Sequence, residues 1–107
     1  MSAHEDLVAA VCAREKACRR GFLAQLRKVV DTDLTWFRLR PDVFTVHPGL
    51  VTVYEIEDTS RLCLRKLKLY AQLWNQLDSH DIELRLVVMD IRGGVWEPNL
   101  GVAYYHA

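Results

Sequence analysis

The chain has 107 residues, half of them hydrophobic, and 14 lysines and arginines balance 14 aspartates and glutamates. This length predicts a single domain, 1–107, with a small core, and the neutral balance excludes nucleic-acid binding through bulk charge, leaving only a local basic patch for it. No apolar run is long enough to span a bilayer, no leader pattern opens the chain, and three cysteines without zinc spacing predict buried free thiols in a reducing cytoplasm.

Leu7 to Val30 reads as one helix, because at about 100° per residue Val8, Val11, Cys12, Cys18, Phe22, Leu26 and Val29 share a face. Asp31-Thr32-Asp33 ends it with turn-favouring side chains. Leu34–Leu39, Asp42–His47 and Leu50–Ile56 are rich in β-branched and aromatic residues and read as three strands, the last two joined by a Pro48-Gly49 turn. A two-residue loop of L-Pro-Gly is not a favoured hairpin turn, so a four-residue loop is expected. Asp58-Thr59-Ser60 offers N-caps for a helix from about Arg61 to Leu77. Glu83–Met89 is a fourth strand, Gly93-Gly94 breaks the pattern, and the tail with Trp96, Tyr104 and Tyr105 supplies an edge strand. The order helix, three strands, helix, strand implies an α/β (α+β) domain with a mixed sheet, its last strand-helix-strand step joining parallel strands.

The register of the hairpin singles out three carboxylates. Either loop length makes the numbers of facing residues sum to 97, which sets Asp42 opposite Glu55 with Cβ atoms about 5 Å apart. Alternation puts Glu57 on the face of Glu55, together with Phe44, Val46, Val51 and Val53. Like charges converging on an apolar face are costly unless something offsets them. A hard divalent cation with oxygen ligands does so; a solvated strand end, or neutralisation by Arg38, Arg40 or Arg61, does so as well. Two further residues are out of place on apolar faces. Glu15 lies between Val11, Cys18 and Phe22, as a further metal or water ligand or as a partner of a base such as Arg19, with Glu5 a weaker candidate. Lys66 lies among Leu62, Leu69, Leu73 and Tyr70, either to stabilise charge developing on a phosphate or to snorkel at the edge of the face.

The segments Arg40-Pro41-Asp42, Tyr54-Glu55-Ile56-Glu57-Asp58-Thr59 and Lys66-Leu67-Lys68-Leu69-Tyr70 resemble the PD-(D/E)xK nuclease superfamily of restriction-endonuclease-like and Holliday-junction-resolvase-like proteins. The resemblance runs from about Leu7 to Asp90 and implies an αβββαβ core with a mixed central sheet flanked by helices. It implies Asp42, Glu55 and the Ile56 carbonyl as ligands of Mg²⁺ or Mn²⁺. Glu57 stands where the family usually has lysine, and Lys66 looks like a lysine that has migrated to the next helix. Lys66 and Tyr70 have the spacing of a Gln-x-x-x-Tyr motif of one branch, and Glu15 resembles a first-helix glutamate found in many branches.

The expected function is metal-dependent hydrolysis of phosphodiester bonds, with DNA as the expected substrate. Asp42, Glu55, Glu57 and Lys66 would be catalytic, Glu15 a further metal ligand, and Arg61, Arg65, Lys68 and Tyr70 contacts to nucleic acid. A domain this small suggests a homodimer, through the aromatic tail or the Trp74 helix face, or a subunit of a larger assembly. The competing expectations are an inactive member of the fold that binds nucleic acid or a protein partner as an accessory subunit or inhibitor, and a structural domain with a solvated acidic edge.

Overall fold

The computed structural model describes residues 2–30, 39–58 and 62–101. The segment read as one helix is two. Helix α1 (Ala3–Glu15) starts at Ser2, whose hydroxyl accepts the Glu5 N–H at 3.1 Å, with Glu5 and Asp6 in its first turn, where the helix dipole favours acids. It stops at Lys16, which takes the left-handed conformation (φ 51°). Helix α2 (Phe22–Val29) begins after Gly21, also left-handed at φ 79°. Between them Cys18 pairs with Phe44, exchanging two backbone hydrogen bonds of 2.9 Å.

The break moves the two helices to opposite faces of one sheet. Strands β1 (Val43–His47), β2 (Leu50–Glu57), β3 (Glu83–Asp90) and β4 (Val95–Trp96) lie in the order β1-β2-β3-β4, with β1–β2 and β3–β4 antiparallel and β2–β3 parallel. Helix α3 (Leu64–Asp78) connects the parallel pair. On one face Phe22 and Leu26 of α2 join Tyr70, Leu73 and Leu77 of α3 over Phe44, Val51, Val53, Leu84, Leu86 and Val88. On the other, Val8 and Val11 of α1 cover Val43, Tyr54, Ile56 and Val87. The domain is therefore α+β, a mixed four-stranded sheet between helices, and each large apolar side chain buried in it contributes roughly 1.5–3 kcal/mol.

The expected register holds: Val43 faces Tyr54 and His47 faces Leu50. The loop, however, is the two-residue one. Gly49 at φ 83° after Pro48 supplies the positive φ that a type II turn requires at its second central residue, so L-Pro-Gly closes this hairpin after all. Two other expectations are revised. Helix α3 begins at Leu64 with Cys63 as N-cap, three residues later than read, and no side chain caps it. Cys18 and Cys63 are exposed and Cys12 half-buried, so the thiols are not core residues. Trp74 packs against the core, and its indole lies where a Cβ on residue 101 would come within 2.9 Å, so Gly101 leaves the ring its room and part of Trp74 is covered from within the chain. Among the described residues the expected edge strand is Val95–Trp96, turned back by Asp90, whose carboxylate accepts the Arg92 N–H at 2.6 Å. The strand read at Leu34–Leu39 falls, except for the buried Leu39, outside the described residues, as do Arg38, Arg61 and the tail tyrosines. No helix among the described residues is long and apolar enough to cross a membrane.

Replacing Lys16 discriminates one helix from two. Glycine inside a continuous helix costs about 1 kcal/mol, whereas at a left-handed cap it relieves strain of a similar size. Lys16→Gly is expected to raise the urea midpoint at unchanged slope, a gain of roughly 1 kcal/mol; a lowered midpoint would restore the continuous helix.

Candidate functional site

Glu55 occupies a core position. It follows Val51 and Val53 along the face of β2 that α3 covers, it faces Val88 of β3, and only 3% of it is exposed. A carboxylate here must find polar partners, and three residues supply them. Tyr70, fully buried on α3, donates its hydroxyl to Glu55. Asp42, one residue before β1, lies close enough to share a hydrogen bond with Glu55. Lys66, one turn before Tyr70, acts on Glu55 through its charge and lies 3.6 Å from Glu57. The spacing on α3 explains the pairing, because positions four apart stand on one helix face.

Asp42 is held by backbone. Its Oδ2 accepts the Ile56 N–H at 2.8 Å, and its Oδ1 lies 3.7 Å from His4 Nε2 at the start of α1. The bond to Ile56 follows from the sequence: continuing the register by two residues sets Pro41 opposite Ile56. Proline has no N–H for the Ile56 carbonyl and breaks the ladder there. The Asp42 side chain takes over the Ile56 N–H, and the Ile56 carbonyl is left without a ladder donor from this neighbour.

The electrostatics follow from burial. Loss of water pushes the Glu55 carboxyl up to about 7; the Tyr70 hydroxyl and the Lys66 ammonium pull it down, and the charge and hydrogen bond of Asp42 push it up again. For Lys66 burial works downward, but Glu55, Glu57 and Asp42 outweigh it and hold the ammonium above the usual lysine value, so it stays a cation. The Tyr70 phenol is pushed up by burial and then by Glu55, and remains a donor.

Burial and the neighbouring Asp42 charge both disfavour the ionised form of Glu55. A divalent cation would relieve the same repulsion. Among the described residues no three His, Cys, Asp or Glu side chains come together as a metal-ligand set. The side-chain donors at this spot are the Asp42 and Glu55 carboxylates, hard oxygens. That set fits Mg²⁺, which retains several waters and is held by one or two carboxylates plus substrate phosphates.

The other expected site residues divide. Glu57 shares the face of Glu55, but its carboxylate is engaged by Lys66, and Lys66 is half-exposed, reaching outward along the face edge. Glu15 is not at the centre. It is exposed on α1 and bonded to Arg14 at 2.9 Å, because the helix ends there and α1 lies on the other face of the sheet. Glu5 likewise pairs outward, with Arg19 at 3.1 Å. Arg65 is exposed and Lys68 partly so on α3. Tyr70 has no exposed surface to offer a nucleic acid; it supports Glu55 instead. His4 was not foreseen, and its only signal was a histidine in a first helical turn. Comparison of the chain with protein-family models, with curated proteins and with solved structures found no match to any of them.

The raised Glu55 carboxyl sets the pH dependence of stability. Between pH 4.5 and about 7 the folded chain keeps a proton that the unfolded chain has released, so stability falls as pH rises through this window, by on the order of 3 kcal/mol. Glutamine can still accept from Tyr70 and carries no charge. Without metal, Glu55→Gln is expected to melt roughly 12–24 °C above the parent near pH 8, at about 4–8 °C per kcal/mol, with the gap closing near pH 4.5. A gap independent of pH in thermal melts would mean that Glu55 is not buried as its acid.

Proposed function

We propose that the protein is a metal-dependent nuclease that hydrolyses phosphodiester bonds of DNA, built as a restriction-endonuclease-like variant of the PD-(D/E)xK core. The observation that carries this reading is the meeting of Asp42 and Glu55, from two adjacent strand ends, beside a lysine from the following helix. The antiparallel β1–β2 hairpin and the parallel β2–α3–β3 step support the same reading. So does the position of Lys66, on the helix that stands over the acids.

In this reading Asp42, Glu55 and the Ile56 carbonyl hold Mg²⁺ or Mn²⁺. The bound ion supplies Lewis-acid polarisation of a phosphate oxygen and a more acidic water. Tyr70 fixes the Glu55 carboxylate from the helix above it, and the Ile56 N–H fixes Asp42 from β2. Glu57 orients the attacking water once a substrate phosphate draws Lys66 away from it, and Lys66 offsets the charge that gathers on the phosphate. The chain acts in the cytoplasm as a homodimer or as a subunit of a larger assembly, since one small domain has little surface to grip a duplex.

One observation favours a second reading. Lys66 and Glu57 neutralise each other at 3.6 Å, which leaves a stable resting arrangement with no need of substrate. An inactive fold that binds nucleic acid or a protein partner as an accessory subunit would look like this.

Cleavage of single-stranded, duplex and branched DNA with Mg²⁺ or Mn²⁺ separates the two. The nuclease is expected to lose cleavage entirely in Asp42→Ala, and in Lys66→Ala to slow by at least about a hundredfold, the usual effect of removing one group that stabilises a transition state. Cleavage by neither metal on any substrate would leave the accessory reading standing.

A further inference from the structure

Beside the acidic centre lies a cleft of about 720 Å³ whose charge is of the opposite sign. Four arginines line it: Arg19 and Arg20 from the α1–α2 crossover, Arg27 from α2, and Arg40 from the segment entering β1. No carboxylate is among its described lining residues. Arg19 is partly compensated by Glu5 at 3.1 Å, whereas Arg20 and Arg40 pair with no carboxylate among the described residues. The first turn of α2 also opens into the cleft. It carries no acidic residue and no side-chain cap, so the positive end of the helix adds to the field. The floor is apolar, with Phe44 and Leu39.

In a chain of zero net formal charge, Arg20 and Arg40 thus stand together at one concave surface without a carboxylate partner among the described residues. Concentrated like charge costs stability unless it serves a ligand. The location selects that ligand. Pro41 lines the cleft and Asp42 is the next residue, so the basic wall and the acidic centre adjoin. Phe44, on the cleft floor, stands two positions from Asp42 along the strand, on the same face as Glu55.

We propose that this cleft holds the sugar-phosphate backbone of a nucleic-acid strand, with Arg20 and Arg40 as the principal phosphate contacts, and leads it to Asp42. The inference rests on the phosphodiesterase reading for its direction, but not for the binding itself. It moves the nucleic-acid contacts from the outer face of α3 to the α1–α2 crossover, a segment that a continuous first helix would never have brought to β1. Guanidinium groups suit the task because their planar forks match phosphate oxygens in pairs. The contacts are to backbone, so they carry affinity without reading sequence.

The test is binding of a fluorescein-labelled 20-nucleotide DNA, single-stranded and duplex, to the full chain in EDTA, followed by anisotropy over a range of salt. Arg20→Ala and Arg40→Ala are each expected to weaken binding roughly tenfold at low salt and to lower the slope of log affinity against log salt by about one. Lys28→Ala removes the same charge from an exposed position of α2 outside the cleft and is expected to change the affinity less than twofold. Equal weakening by all three variants, or by none, overturns the proposal. So does competition by poly-glutamate as effective as that by unlabelled DNA, which would make the cleft a site for acidic protein. Because EDTA removes the metal, failure of the nuclease reading leaves this result intact: DNA bound through Arg20 and Arg40 without cleavage describes a binding subunit, and cleavage unaffected by either variant describes a nuclease that grips its substrate elsewhere.

Discussion

The hydrogen bond from Tyr70 to Glu55 is the interaction on which the polar centre depends. A carboxyl at a valine's place in the core face of β2 is tolerated because the helix above presents a phenol to it. An apolar residue of similar volume would pack there at no electrostatic cost, since satisfied polar groups in a core seldom stabilise it more than well-packed apolar ones. Fixing Glu55 in turn fixes its neighbours. Asp42 is drawn toward the carboxyl and locked by the Ile56 N–H, and Lys66, one helical turn from Tyr70, is placed over Glu57. A single buried contact thus ties the start of β1, the end of β2 and the second turn of α3 into one unit.

Arrangements of this kind are usual where chemistry is done, because a group whose proton affinity is shifted by burial and by a like charge is poised to exchange that proton for another cation. The cost falls on the fold: β2 gives up an apolar contact, and Pro41 gives up a rung of the ladder. The compensation lies nearby, in the two apolar clusters that clamp the sheet from both sides.

The hairpin register was legible because alternation leaves little freedom: one apolar face determines which residues oppose each other, and with it the meeting of Asp42 and Glu55. Lys66 was legible as a cation on an apolar face. The first helix was misread for a physical reason. The residues of α1 and α2 fall on one face when a single helix is drawn through them, yet Val8 and Val11 serve one side of the sheet and Phe22 and Leu26 the other. Gly21 was the available signal, since glycine in mid-helix is costly, but a left-handed lysine carries no mark in sequence. Glu15 was misplaced as a consequence, and the arginines brought together around the crossover could not be seen as a group until that crossover existed. Tyr70 is legible on the apolar face of its helix, but the motif's spacing assigned it to nucleic acid, and burial gives it a supporting task instead.

The Cys18–Phe44 pairing has a further effect, on how the sheet meets its surroundings. Among the described strands β1 is outermost on its side of the sheet, and the outward N–H and C=O of Phe44 are both taken by the crossover. At the opposite side β4 has two residues, too few to template a long partner. A second chain adding a strand along β1 would first have to displace two good hydrogen bonds and unseat a segment that links two packed helices. Natural sheets guard against fibrillar association by such blunted margins, and here the same few residues that carry the chain from one face to the other also serve as that guard.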